Sequence, residues 1–178
     1  VRMVYAAPTR EQARSIIIPT AEIFFEDCPE DIKPVWATTE HAYIWPDGSR
    51  LIIDGADDER GNHLRGPFAD IVFCDEQGFW RHCNYVTKTV LMPQAQRVGG
   101  RILGASTSPE SVGHEFVGLI AETIASNSYI RRTIDDDTTL TEAERDKRMR
   151  DLAEEKYKAN PRKATAVRRE LLSELVNE

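Results

Sequence analysis

Ala69-Asp70-Ile71-Val72-Phe73-Cys74-Asp75-Glu76 is the stretch that decides the fold. Its near-continuous apolar run describes a strand covered on both faces, and two carboxylates close it. A second strand of this kind, Gly100-Arg101-Ile102-Leu103-Gly104-Ala105, ends in the hydroxyl run Ser106-Thr107-Ser108-Pro109. Residues 79–92 between them are expected to be helical. A further helix is expected over 113–126, with Phe116, Val117, Ile120 and Ile124 on one side. Upstream, Arg2-Met3-Val4-Tyr5-Ala6-Ala7-Pro8 reads as a strand already under way at the first residue. Thr9 with Gln12 then has the spacing of a capping box. The helix it opens carries Ala13, Ile16, Ile17, Ala21, Phe24 and Phe25 as its expected buried face, and Pro19 is expected to kink or divide it. Residues 35–54 read as a β-hairpin around Pro46-Asp47-Gly48, with Trp36 and Trp45 as packing residues. Strand and helix alternate, so the chain is expected to be α/β with a mostly parallel sheet. Sites in such sheets gather at the carboxyl ends of strands.

The 178 residues have room for one principal domain with a real core. No apolar run approaches the roughly 20 residues of a membrane span, and the first residues lack the order of a signal peptide. Cys28, Cys74 and Cys83 form neither an even set nor a CxxC pair, so no disulfide framework or zinc knuckle is encoded. Residues 131–178 hold 12 of the 23 Lys and Arg and 12 of the 30 Asp and Glu, so the whole net charge of −7 lies in residues 1–130. A surface of that sign does not wrap nucleic acid by bulk attraction, and any contact with DNA must be local.

In nucleotide triphosphatases an apolar strand fixes an Asp at its end to hold the hydration shell of Mg²⁺, and the next Glu orients the attacking water. Asp75 and Glu76 fit that pattern. They also fit the many strands that simply end in an acidic loop. Ser106 and Thr107 would stand beside them in a parallel sheet, or merely cap a turn. Arg65, in Leu64-Arg65-Gly66 ten residues before Asp75, is either functional or a solvated or ion-paired surface cation.

Taken in order, Tyr5-Ala6-Ala7-Pro8-Thr9 with Gln12-Ala13, Leu64-Arg65-Gly66, Ala69 to Glu76, Gly104 to Pro109 with Gly113 and Phe116, and Arg168-Arg169-Glu170-Leu171 resemble the ATPase domain of tailed-phage terminase large subunits. The resemblance implies a P-loop NTPase-like fold of the additional-strand, catalytic-glutamate type. It implies an ATPase core over 1–130, truncated at its N-terminal side, and a small helical lid subdomain over 131–178. That lid is expected to contain helices over 141–158 and from Asn160-Pro161 to near Leu175. It further implies ATP and Mg²⁺ as cofactors, Asp75 as the metal-holding Walker B Asp, Glu76 as catalytic base, Ser106-Thr107 as the motif coupling hydrolysis to movement, and Arg65 as a finger reaching a neighbouring subunit's ATP. The implied setting is a homo-oligomeric ring in the host cytoplasm. There it would work with double-stranded viral DNA, the portal protein and the small terminase subunit, away from any membrane.

The chain departs from the family pattern in three places. Gln77-Gly78 follows Asp-Glu where small residues such as Ala are usual, and Ser108 is inserted in the more common Ser-Thr-Pro. No GxxxxGK[ST] occurs, so the β- and γ-phosphates have no backbone cradle in this sequence. The expectation is an internal fragment, with the P-loop upstream of Val1, a nuclease domain beyond Glu178, and no hydrolysis by the fragment itself. A DExx-box helicase fragment and a non-enzymatic interaction module with an ATPase-like fold are the alternatives.

Overall fold

A computed structural model of the chain describes residues 1–107, 109, 111, 113–126, 141–144 and 147. They fall into two compact units, Val1–Ser106 and Thr107–Glu178.

The first unit is built on a six-stranded sheet. Its strands are β1 (Arg2–Ala7), β2 (Val35–Ala37), β3 (Ala42–Ile44), β4 (Arg50–Gly55), β5 (Ile71–Asp75) and β6 (Arg101–Ala105), in spatial order β2-β3-β4-β1-β5-β6. The four strands β4, β1, β5 and β6 run parallel, and β2 and β3 extend the sheet antiparallel from β4. The expected hairpin is therefore present, and its last strand also joins the parallel core.

Helix α1 (Arg10–Phe24) starts at Thr9, whose hydroxyl accepts the Gln12 N–H at 3.2 Å. Ala13, Ile17, Ala21 and the following Phe25 recur every four residues and pack with Ala7, Ile53 and Tyr43. Ile16 and Phe24 fall outside that row and are exposed, contrary to the buried face expected of them. Pro19 does not divide the helix, which is continuous. The residue is exposed, so the carbonyl that its missing N–H leaves over can be hydrated instead of stranded. Trp36 packs on Tyr43 with ring centroids 5.1 Å apart, and Trp45 on Phe25 at 5.8 Å, as expected of packing residues.

The helix expected over 79–92 is present but shifted to Cys83–Gln96. In it α2 (Cys83–Tyr85), a π-helical stretch (Val86–Leu91) and α3 (Met92–Gln96) follow one another with right-handed helical backbone at each junction. Trp80 before it and Cys83, Val86 and Leu91 within it are fully buried. Between β4 and β5 the chain forms a 3₁₀ segment (Asp58–Leu64) in which Glu59, Arg60 and Gly61 are all left-handed.

Register sorts the parallel strands into two faces. Val4, Ala6, Val72 and Cys74 share one and are buried. Tyr5, Phe73 and Leu103 share the other, where Phe73 is 38% and Leu103 52% exposed.

In the second unit, α4 (Glu115–Ala125) begins at His114, whose Nδ1 accepts the Phe116 N–H at 3.1 Å. Thr141 and Glu144 form a reciprocal capping box: the Glu144 carboxylate accepts the Thr141 N–H at 2.8 Å, and the Thr141 hydroxyl accepts the Glu144 N–H at 3.3 Å. The rest of the expected 141–158 helix, the helix after Pro161 and most of the 131–178 lid lie outside the described residues.

Candidate nucleotide site at the ends of β5 and β6

Strand β5 lies between β1 and β6, and Asp75 is its last residue, in register with Ala105. Glu76 leaves the strand in the left-handed conformation, at φ 51° and ψ 44°. Such a conformation costs a non-glycine residue of order 1–2 kcal/mol, so the surroundings must hold it. Ser106, one residue beyond β6, does so from the neighbouring strand. Its hydroxyl accepts the Gly78 N–H at 2.8 Å and donates to Glu76 Oε2 at 3.3 Å. The parallel pairing of β5 with β6 thus brings Asp75, Glu76 and Ser106 into one corner. Thr107 follows directly in the chain and opens the second unit.

Tyr5 and Trp80, to which the sequence assigns no role at the site, fix Asp75. The Tyr5 hydroxyl donates to Asp75 Oδ2 at 2.6 Å, and the indole N–H of fully buried Trp80 donates to the Asp75 carbonyl at 2.9 Å. Burial, then the Asp75 hydrogen bond and the Asp75 and Glu76 charges, push the Tyr5 phenol well above its ordinary pKa, so it stays a donor. The Trp80 contact closes a short turn, but the Tyr5 contact has no short-range signature. Tyr5 lies 70 residues from its partner and reaches it only through sheet register.

Gln77, where the resemblance implied a small residue, is buried and donates to Thr87 Oγ1 at 3.1 Å. Its side chain lies over Gly104, where a Cβ would collide with it. The larger residue is accommodated because β6 has glycine beneath it.

Arg65 is not part of this corner. It is exposed, and its guanidinium donates to Asn62 Oδ1 at 3.1 Å and to the Tyr85 hydroxyl at 2.9 Å. The loop is tied down just before it by Gln94 Nε2, which donates to the Leu64 carbonyl at 3.0 Å. The Arg2 guanidinium lies against Gly66 after it, where a Cβ would have to push the end of that side chain aside.

A second polar cluster stands at the end of β4. Asp54, 2% exposed, accepts from Arg10 Nε at 2.8 Å, contacts His41 Nδ1 at 3.0 Å and accepts its neighbour Gly55 N–H at 2.7 Å. Burial alone would raise this carboxyl, but the hydrogen bonds from Arg10, His41 and Gly55 outweigh it and hold the pKa below the ordinary carboxylate value. The cysteines take no part in either cluster. Cys74 and Cys83 are buried, and burial, then Cys83, pushes the Cys74 thiol far up.

Among the described residues no group of three or more His, Cys, Asp and Glu side chains gathers around a metal position. Zinc or calcium sites made wholly of protein ligands need such a group. Mg²⁺ is usually bound by one or two carboxylates together with substrate phosphates and waters, and the Asp75 and Glu76 pair fits that donor set.

The fold is that of known large terminases. The large terminase from a thermophilic bacteriophage, in a complex with ADP, matches with a TM-score of 0.69 at 15% identity, over 98% of this chain and 40% of that one. A second crystal form of the same phage's large terminase matches at 0.63 and 13% identity, over 88% of this chain and 38% of that one. The large terminase ATPase domain of Thermus phage P74-26 matches at 0.66 and 17% identity, over 98% and 76%. This chain spans about two fifths of the length of the first of these large terminases. No curated protein matches it. The family model described as terminase large subunit, T4likevirus-type, N-terminal, matches residues 1–177. This places the chain with terminases and not with helicases: it belongs to the terminase large subunit family and has the P-loop NTPase-like fold of the terminase ATPase domains.

Proposed function

We propose that this chain is part of the ATPase domain of a large terminase, a motor that hydrolyses ATP to ADP and phosphate to drive double-stranded viral DNA into a procapsid. The observation that carries this reading is the corner of Asp75, Glu76 and Ser106 at the carboxyl ends of adjacent parallel strands. Asp75 would hold Mg²⁺, which when bound neutralises phosphate oxygens and charge developing on them. Glu76 orients the attacking water and takes its proton onto the carboxylate, and Ser106 keeps that carboxylate in place. Because Ser106 also accepts the Gly78 N–H, a movement of the β5 end is felt at the end of β6, where Ser106-Thr107 would pass it into the second unit. Arg65, held outward by Asn62 and Tyr85, would serve a neighbouring subunit's ATP.

The sequence has no GxxxxGK[ST], and Asp75 and Glu76 repel a triphosphate that no backbone N–H groups cradle. The chain by itself is therefore proposed to be inactive, with the P-loop and a nuclease domain elsewhere on the complete polypeptide. The exposed β6 edge and the open Phe73 and Leu103 surface are of the kind that a further strand and helix cover. Residues 131–178 are proposed as a lid. The ring, the portal and small-subunit partners and the host cytoplasm belong to the same proposal; no helix among the described residues is long and apolar enough to cross a membrane.

The test is nucleotide binding and turnover by the complete subunit with Glu76→Gln. Turnover should fall by about 10²–10⁴-fold, the range of general base catalysis, with Mg-ATP still bound. Near-normal turnover would refute the assignment.

A further inference from the structure

We infer that Tyr5 is a positioning residue for the metal-holding carboxylate of Asp75, an inference that rests on the nucleotide-site reading above. Tyr5 pairs with Phe73, and Asp75 lies two residues further along β5 on the same face. Two residues of strand cover about 6.6 Å, the reach of a tyrosine laid along the sheet. An aliphatic side chain in that place would cover the sheet equally well but donate nothing.

The contact has the character of a charge-assisted bond. At 2.6 Å it lies in the range for a hydroxyl donating to an ionised carboxylate. It occupies Oδ2, so the carboxylate presents Oδ1 toward a ligand. Trp80 holds the carbonyl of the same residue, so Asp75 is restrained at main chain and side chain together. Glu76 turns away immediately afterwards in its left-handed conformation, so Asp75 gets no support from a continuing strand. Restraint of this kind, from a hydrogen-bond partner behind a metal ligand, is worth about 10–100-fold in metal affinity.

The experiment is Mn²⁺ titration followed by electron paramagnetic resonance, on the complete subunit with ADP bound, for the wild type, Tyr5→Phe, Asp75→Asn and Tyr43→Phe. Tyr43 is a fitting control because its hydroxyl is buried in the same unit without a hydrogen-bond partner. Tyr5→Phe should weaken Mn²⁺ binding about tenfold, with ADP affinity in EDTA unchanged and Tyr43→Phe at the wild-type value. Asp75→Asn should weaken it further. If Asp75→Asn weakens the metal and Tyr5→Phe does not, or Tyr5→Phe tightens it, the positioning role is overturned and the nucleotide-site reading stands. If Asp75→Asn leaves Mn²⁺ affinity unchanged, the site reading itself fails, and the role of Tyr5 with it. A fall in ADP affinity in EDTA for Tyr5→Phe equal to its fall in Mn²⁺ affinity would mark Tyr5 as merely structural and overturn the inference.

Discussion

Asp54 shows how a single residue decides the stability of the first unit. Its carboxylate is buried, and its cost is met by Arg10 from α1 and His41 from the turn after β2, so one side chain ties two segments to the end of β4. Asp54→Asn keeps the volume but removes the charge that orients both partners. A loss of about 1.5–3 kcal/mol at pH 7 is expected in urea unfolding, the size of hydrogen bonds to a charged group. The pH dependence follows from the lowered folded-state pKa. Its contribution is present above the unfolded value of about 4 and disappears as pH falls through the folded value, because the unfolded chain then binds the proton more readily. Wild type and variant should therefore converge in stability below about pH 4, and a gap that stays constant down to about pH 2 would show that the charge is not what matters.

At the scale of elements, β5 and β6 are matched through Gln77 and Gly104. Gly104→Ala places a methyl against the Gln77 amide and should destabilise by about 1–3 kcal/mol, the usual range for overpacking. In a Gln77→Ala background the same change should cost under about 1 kcal/mol, and the coupling is read from a double-mutant cycle in urea; additive effects would contradict the packing described. The ends of these strands were legible in the sequence because each signal is contiguous: an apolar run followed at once by its polar residues. Ser106 is legible for the same reason, given two parallel neighbouring strands. What was not legible depends on register or exposure. Tyr5 meets Asp75 through the pairing of β1 with β5. Trp80 meets it after a tight turn. Pro19 is tolerated because it faces water. The helix expected over 79–92 starts only at Cys83 and runs on to Gln96, and no local pattern announces the π-helical stretch inside it.

For the whole molecule, the proposed ring places demands on Arg65 that a lone subunit does not. A cation delivered to a neighbour's γ-phosphate stabilises charge in the transition state by about 10³–10⁵ in rate. In the complete subunit, Arg65→Ala should abolish turnover and leave nucleotide binding nearly intact. Mixing it with Glu76→Ala subunits should restore part of the activity, since some interfaces then contain both intact residues. Mixed assemblies that recover nothing would place Arg65 in cis or in a structural role. The corner at the ends of β5 and β6 is tested by the structure of the complete subunit with Mg²⁺ and a non-hydrolysable ATP analogue. The metal should lie beside Asp75 and the γ-phosphate should face Glu76 and Ser106. A nucleotide bound elsewhere, with Asp75 and Glu76 facing only protein or water, would contradict that assignment.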